Sequence, residues 1–210
     1  MKKNFFAITL SLALLTLSTT LSFADVDQVT ITHVQGDAHI LRGGQSISIK
    51  DGDTCQKEDV LVTGDDGTLD ISVNNLAGSR ILPGSEISVA DTQKEDMRLK
   101  IQKGNVILNL DKLPKKSTFK VETPTAVAVA RGTQFWGRVQ ALKANSPTTS
   151  FAVREGVIDV MSITTGQTIS LREGQALDIP RDLIGNLNPR QALGQEISTM
   201  EQASSIRTCS

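Results

Sequence analysis

Tyrosine is missing from this 210-residue chain, tryptophan occurs once, and two of its six phenylalanines are Phe5 and Phe6. With so few rings, a core must be built mostly from valine, isoleucine and leucine, side chains that suit a pleated surface. A surplus of one charge is missing as well: 22 Lys and Arg stand against 23 Asp and Glu, a formal net charge of −1. That balance excludes nucleic acid and anionic membrane surfaces as the partner class. Catalytic signatures are also lacking. There is no Gly-x-Ser-x-Gly element, no glycine-rich phosphate loop followed by a lysine and a helix, and no local partner to activate Cys55. The only histidines are His33 and His39. A metal site normally takes three or four ligands. A hairpin could bring the two histidines together with Asp37, but two surface histidines are the simpler reading. Gly64-Asp65-Asp66-Gly67 lacks the spaced oxygens of a calcium loop and reads as a turn. The sequence therefore predicts no enzyme, no metal and no cofactor.

What is present begins with a leader. Lys2 and Lys3 precede an apolar run from Phe5 to Phe23, and Ser22-Phe23-Ala24 leads into Asp25. This is the pattern of a signal peptide cut after Ala24, and it predicts a periplasmic or secreted product. An uncleaved anchor is the competing reading. Threonines and serines between Thr16 and Ser22 weaken it, and no integral membrane span is expected after cleavage. In an exported protein the two cysteines, Cys55 and Cys209, permit one disulfide that would tie the tail to the body, with two free thiols as the alternative.

Glycines recur in register. Gly44-Gln-Ser-Ile-Ser-Ile-Lys-Asp-Gly52 and Gly166-Gln-Thr-Ile-Ser-Leu-Arg-Glu-Gly174 share one template, with a shortened relative from Gly78 to Val89. A second template places Gly104 and Gly156 each after an apolar residue and two polar ones, and Gly36 after Val34 and the single polar Gln35, with alternation resuming beyond. Such glycines adopt positive φ at turns, and period-2 alternation around them gives strands with one face in a core. Short strands are predicted from Val29–Val34 through Arg98–Gln102, Asn105–Asn109 and Phe119–Thr123 to Ala176–Ile179. The fold class is all-β: many short antiparallel strands in a sandwich, roll or solenoid-like stack. Residues 25–180 form that domain, and residues 181–210 form a tail with one or two short helices. The run Ala126-Val-Ala-Val-Ala130 reads as a strand covered on both faces, paired with the segment beyond Gly132 as the centre of the domain.

The order of these pieces resembles the FecR-type periplasmic domain. It runs from Asp59-Val-Leu-Val-Thr-Gly64 and Gly67-Thr-Leu-Asp-Ile-Ser-Val73 through Gly78-Ser-Arg-Ile-Leu-Pro-Gly84, Leu99-Lys-Ile-Gln-Lys-Gly104 and Phe119-Lys-Val-Glu-Thr-Pro124. Ala130-Arg-Gly-Thr-Gln-Phe135 is similar to the family's Val-Arg-Gly-Thr-x-Phe core, and Phe151-Ala-Val-Arg-Glu-Gly156 and Leu171-Arg-Glu-Gly174 complete it. The resemblance implies an extracytoplasmic β-domain of the kind found in regulators that relay a signal from an outer-membrane transporter to a sigma factor. Here no helical cytoplasmic part or internal span accompanies it, so a free-standing exported member is expected.

Three residues are candidates for binding. Arg131 can grip a carboxylate with both ends of its guanidinium, with Thr133 beside it; a structural corner is the simpler reading of the pair. Trp136 either anchors a partner or packs under the C-terminal tail, since it and Phe135 must face opposite ways. The expected function is a non-catalytic binding, signalling or scaffold module whose partner is another envelope protein or cell-surface component. A sensor for a small ligand is the alternative, and an envelope hydrolase a distant third.

Overall fold

The computed structural model describes residues 28–93, 95–111, 113–143, 146–201 and residue 206. The leader at 1–24 and the tail position Cys209 lie outside the described residues. Among those described, no helix is long and apolar enough to cross a membrane.

The chain alternates between two sheets, A and B. β1 (Val29–Gln35) starts sheet A; after Gly36 the chain enters sheet B as β2 (Ala38–Arg42) and β3 (Gln45–Ser48). It crosses back as β4 (Thr54–Cys55), returns to sheet B as β5 (Val60–Thr63), and forms a hairpin in sheet A from β6 (Thr68–Val73) and β7 (Ala77–Ile81). β8 (Glu86–Asp91) lies in sheet B, and β9 (Asp96–Leu110) belongs to both sheets. A sheet B hairpin of β10 (Thr118–Glu122) and β11 (Ala126–Ala130) is followed by a sheet A hairpin of β12 (Gln134–Lys143) and β13 (Ser146–Glu155). β14 (Val157–Ser162) and β15 (Thr168–Arg172) make the last hairpin of sheet B. β16 (Gln175–Pro180) and β17 (Arg190–Gln191) finish sheet A, and α1 (Gly194–Glu201) follows.

Sheet A reads β4-β1-β6-β7-β9-β12-β13-β16-β17. Sheet B reads β3-β2-β5-β8-β9-β10-β11-β14-β15, antiparallel throughout except the parallel pair β9–β10. β9 is thus the middle strand of both. Its first part pairs with β8 and β10, and from Gly104 onward it pairs with β7 and β12. The architecture is an open sandwich that does not close into a barrel.

One apolar core fills the space between the sheets. Ile31, Leu69, Val106, Phe135 and Phe151 enter it from sheet A, and Leu61, Ile87, Leu99, Phe119 and Ile158 from sheet B. Phe135 and Phe151 lie with ring centroids 6.4 Å apart, tilted by 54°, a geometry that suits two aromatic quadrupoles.

The glycine templates have a different meaning from simple turns. Gly36, Gly104 and Gly156, with φ of 68°, 89° and 86°, are each the point where the chain leaves one sheet for the other. The first template is a hairpin in sheet B followed by a crossing to sheet A, at Gly52 in one copy and Gly174 in the other. The unit β1–β4 therefore recurs as β13–β16 near the opposite ends of both sheets.

Several expectations change. Arg98–Gln102 and Asn105–Asn109 are one continuous strand, because Gly104 bends the backbone without reversing it. β11 and the segment after Gly132 are not a pair: they lie in opposite sheets, joined at Gly132 with φ 110°. Nor is β11 covered on both faces. Ala126, Ala128 and Ala130 are sealed in the core, while Val127 and Val129 face outward half-buried. Valine's branched side chain suits an outward strand position as well as an inward one, so the apolar run concealed an ordinary alternation. In the tail, 183–189 is irregular and β17 precedes the single described helix.

Candidate functional site

The corner that carries Arg131 and Thr133 is structural in its contacts. Thr133 is buried, its Oγ1 donates to the Val157 carbonyl at 3.0 Å, and its own carbonyl accepts from Leu110 N–H at 3.1 Å. Arg131 is exposed at the rim of a shallow hollow of about 440 Å³ shared with Asp111 and Glu155. Trp136, three positions beyond Thr133, is elsewhere: the β12 pleat turns it to the outer face of sheet A while Phe135 enters the core. The three candidates do not converge.

His33 and His39 are also separated, because β1 and β2 lie in opposite sheets. His33 sits 3.6 Å from Asp51, and His39 sits 3.9 Å from Asp37. No group of three metal-ligating side chains forms among the described residues. Cys55 is buried, and burial, with the charge of Asp59 next in importance, pushes its thiol up to about 12. It is held protonated and unreactive.

Sequence reasoning missed the feature that Trp136 belongs to. Its outer face has two parallel rows, two residues apart along the strands. One is apolar: Ile107, Trp136, Ala152 and Ala176 lie side by side in register. α1 covers this row with Met200 and Ile197, so Trp136 is only 4% exposed. The other row is polar and runs Asn105, Arg138, Ser150, Asp178. The Arg138 guanidinium carbon lies 5.1 Å from the centroid of the Trp136 ring, within cation–π range.

An ionic clamp fixes α1 over these rows. Arg190 donates to Glu196 through Nη1 and Nη2 at 2.9 and 2.7 Å, and to Asp178 through Nε at 2.7 Å. Ser150 Oγ donates to the other side of Asp178 at 2.6 Å. Glu196 also accepts from the Leu193 N–H at 2.7 Å, so it caps the helix it anchors. Burial pushes the Glu196 carboxyl up, but the Arg190 and Leu193 hydrogen bonds pull harder, and it ends below the ordinary range. Asp178 has the same balance, lowered on the whole by Arg190 and Ser150 against the cost of burial. No motif announces this clamp. Its charges are scattered over β16, β17 and α1, and it is the pairing of β17 with β16 that brings Arg190 beside Asp178, while the register of β13 with β16 adds Ser150.

Sheet B differs on its outer face. Val157, Met161 and Ile163 are 42%, 41% and 54% exposed, beside the half-buried Val127 and Val129. Val127 stands directly opposite Met161 across the strand pair. Among the described residues no helix covers this strip.

The family model described as FecR protein matches residues 59–159. That segment is a FecR domain. It begins with the first residue of the Asp59–Gly64 motif and ends within β14, so it takes in the shared strand β9 and the Arg131 corner. Two crystal structures, both of chains from Parabacteroides distasonis ATCC 8503 provisionally described as an anti-sigma factor, share the fold. One aligns at a TM-score of 0.56 with 12% identity over 68% of this chain and 64% of its own. The other aligns at 0.55 with 13% identity over 67% and 62%. The chain thus spans less than two thirds of their length. No curated protein matches.

Proposed function

We propose that this protein is a non-catalytic regulatory module of the cell envelope, which acts by binding another protein outside the cytoplasm. The FecR match over residues 59–159 carries the reading, since that family and its structural neighbours belong to regulatory systems. The apolar leader with Ser22-Phe23-Ala24 before Asp25 supports export. The partner-binding surface is the apolar strip on sheet B, because a strip of valine, methionine and isoleucine left open among polar neighbours is what an interface core requires.

The test is affinity capture from envelope extract, using the exported chain and a Val129→Lys/Met161→Lys variant. A protein retained by the native chain and lost by the variant, at unchanged melting temperature, supports the reading. If nothing specific is retained, or the variant retains it equally, the surface assignment and the binding role fall together.

A further inference from the structure

A hollow of about 360 Å³ lies between α1 and the outer face of sheet A, with Leu82, Asn105, Trp136, Arg138, Leu193 and Gln195 on its walls. That volume is within the range of small-molecule sites. Two features mark it as more than a packing gap. First, donors are left over: among the described residues, Trp136 Nε1 is buried without a hydrogen-bond partner, and so is Arg138 Nε. Unpaired buried donors cost free energy in an empty fold, typically about 1–3 kcal/mol each. Both side chains line the hollow, and an acceptor there that reaches either donor recovers that cost.

Second, the charges next to the hollow are unevenly committed. Both oxygens of Glu196 are taken by Arg190 and the Leu193 N–H, and both oxygens of Asp178 by Arg190 and Ser150. Arg138 forms no ion pair with either, although its charge helps to lower the Asp178 carboxyl. One cation therefore has its counter-charge only at a distance, and it lies over the Trp136 ring.

We propose that this hollow binds a small monocarboxylate with an apolar body. The carboxylate takes the unpaired edge of Arg138 and the Trp136 N–H, while Leu82 and Leu193 receive the apolar part. A monoanion fits better than a phosphate dianion, because the site has one uncommitted cation and two carboxylates close by that would repel a second negative charge. The ligand touches both α1 and the sheet, so occupancy tightens the clamp that holds the helix down. This site stands apart from the strip on sheet B and does not depend on the protein-binding reading.

Trp136 is the only tryptophan of the chain, so its emission reports on the hollow alone. The experiment titrates the full chain with benzoate, phenylacetate and N-acetyl-leucine, with benzamide, phenylacetamide and inorganic phosphate as matched controls. Binding is read by Trp136 emission and by calorimetry. The expected result is a saturable change with at least one carboxylate. The matched amide and the Arg138→Gln variant should each bind about ten-fold more weakly or worse, the scale of one lost charge-assisted hydrogen bond. Gln195→Glu is the second variant: its carboxylate would occupy Arg138 from α1 and weaken the same titration without touching the sheet. No saturable change with any carboxylate overturns the proposal. Equal affinity for the amide or for phosphate, or affinity unchanged in both variants, overturns it as well.

Discussion

Asp59 shows at the scale of one residue what holds this fold at its edges. It is 1% exposed, and Arg42 donates to its two oxygens at 2.8 and 2.7 Å while the Gln56 N–H donates at 2.7 Å. Burial alone would raise its carboxyl, but these bonds outweigh it and leave the group below the ordinary range. A carboxylate lowered by folding contributes stability that is complete above its unfolded value, about 3.9, and is lost as pH falls through the folded one. Asp59→Asn should therefore cost about 1.5–3 kcal/mol at neutral pH, the scale of hydrogen bonds to a charged group. The gap to the native chain should narrow progressively below about pH 4. Urea midpoints at pH 7 and pH 3 check this; a gap that does not shrink on acidification would show that the ion pair is not its source. Asp59 stood out in the sequence only as the opening residue of a motif. Its partner Arg42 is seventeen positions earlier, and nothing local links the two.

At the scale of an element, β9 decides how the two sheets are joined. Its alternation is plain in the sequence on both sides of Gly104, and each half reads as a strand. What could not be read was that they are one strand, because a glycine with positive φ serves a hairpin and a bend equally well. The neighbours settle it. Ser85 Oγ donates to the Leu82 carbonyl at 2.6 Å and accepts from the Asn105 N–H at 2.9 Å, which pins the strand where it passes from one sheet to the other. A Cβ on Gly104 would run into Ser85, and the φ of 89° would strain any L side chain. Gly104→Ala should therefore destabilise by at least about 2–3 kcal/mol, a fall of roughly 5–10 °C in melting temperature for a chain of this size. Ala at Gly44, where a Cβ meets nothing within 4 Å, carries the φ strain without the clash and should cost less. Equal losses at the two positions would remove Ser85 from the explanation.

The whole molecule was half legible. Valine- and isoleucine-rich alternation between glycines pointed to layered short strands, and the structure is built that way. The repeated template marked a real duplication, β1–β4 and β13–β16, but its role as a sheet crossing is a long-range property that no window of sequence contains. The outer-face rows on sheet A were invisible for the same reason, since they exist only through register. That architecture bears on how the protein unfolds. The two copies stand near opposite ends of the sheets, which suggests separable halves. Yet the core between them is continuous, and β9 is the middle strand of both sheets. A strand that cannot leave one half without breaking the other ties their stabilities together, so the domain should unfold in one cooperative step. Three probes sample it from different places: far-ultraviolet circular dichroism for the sheets, Trp136 emission for the β12 side, and Cys55 labelling for the β4 side, where the thiol is buried. Their urea midpoints should coincide. A Cys55 transition that precedes the Trp136 transition would mean that the β1–β4 unit opens on its own, and that β9 couples the halves less tightly than its shared pairing requires.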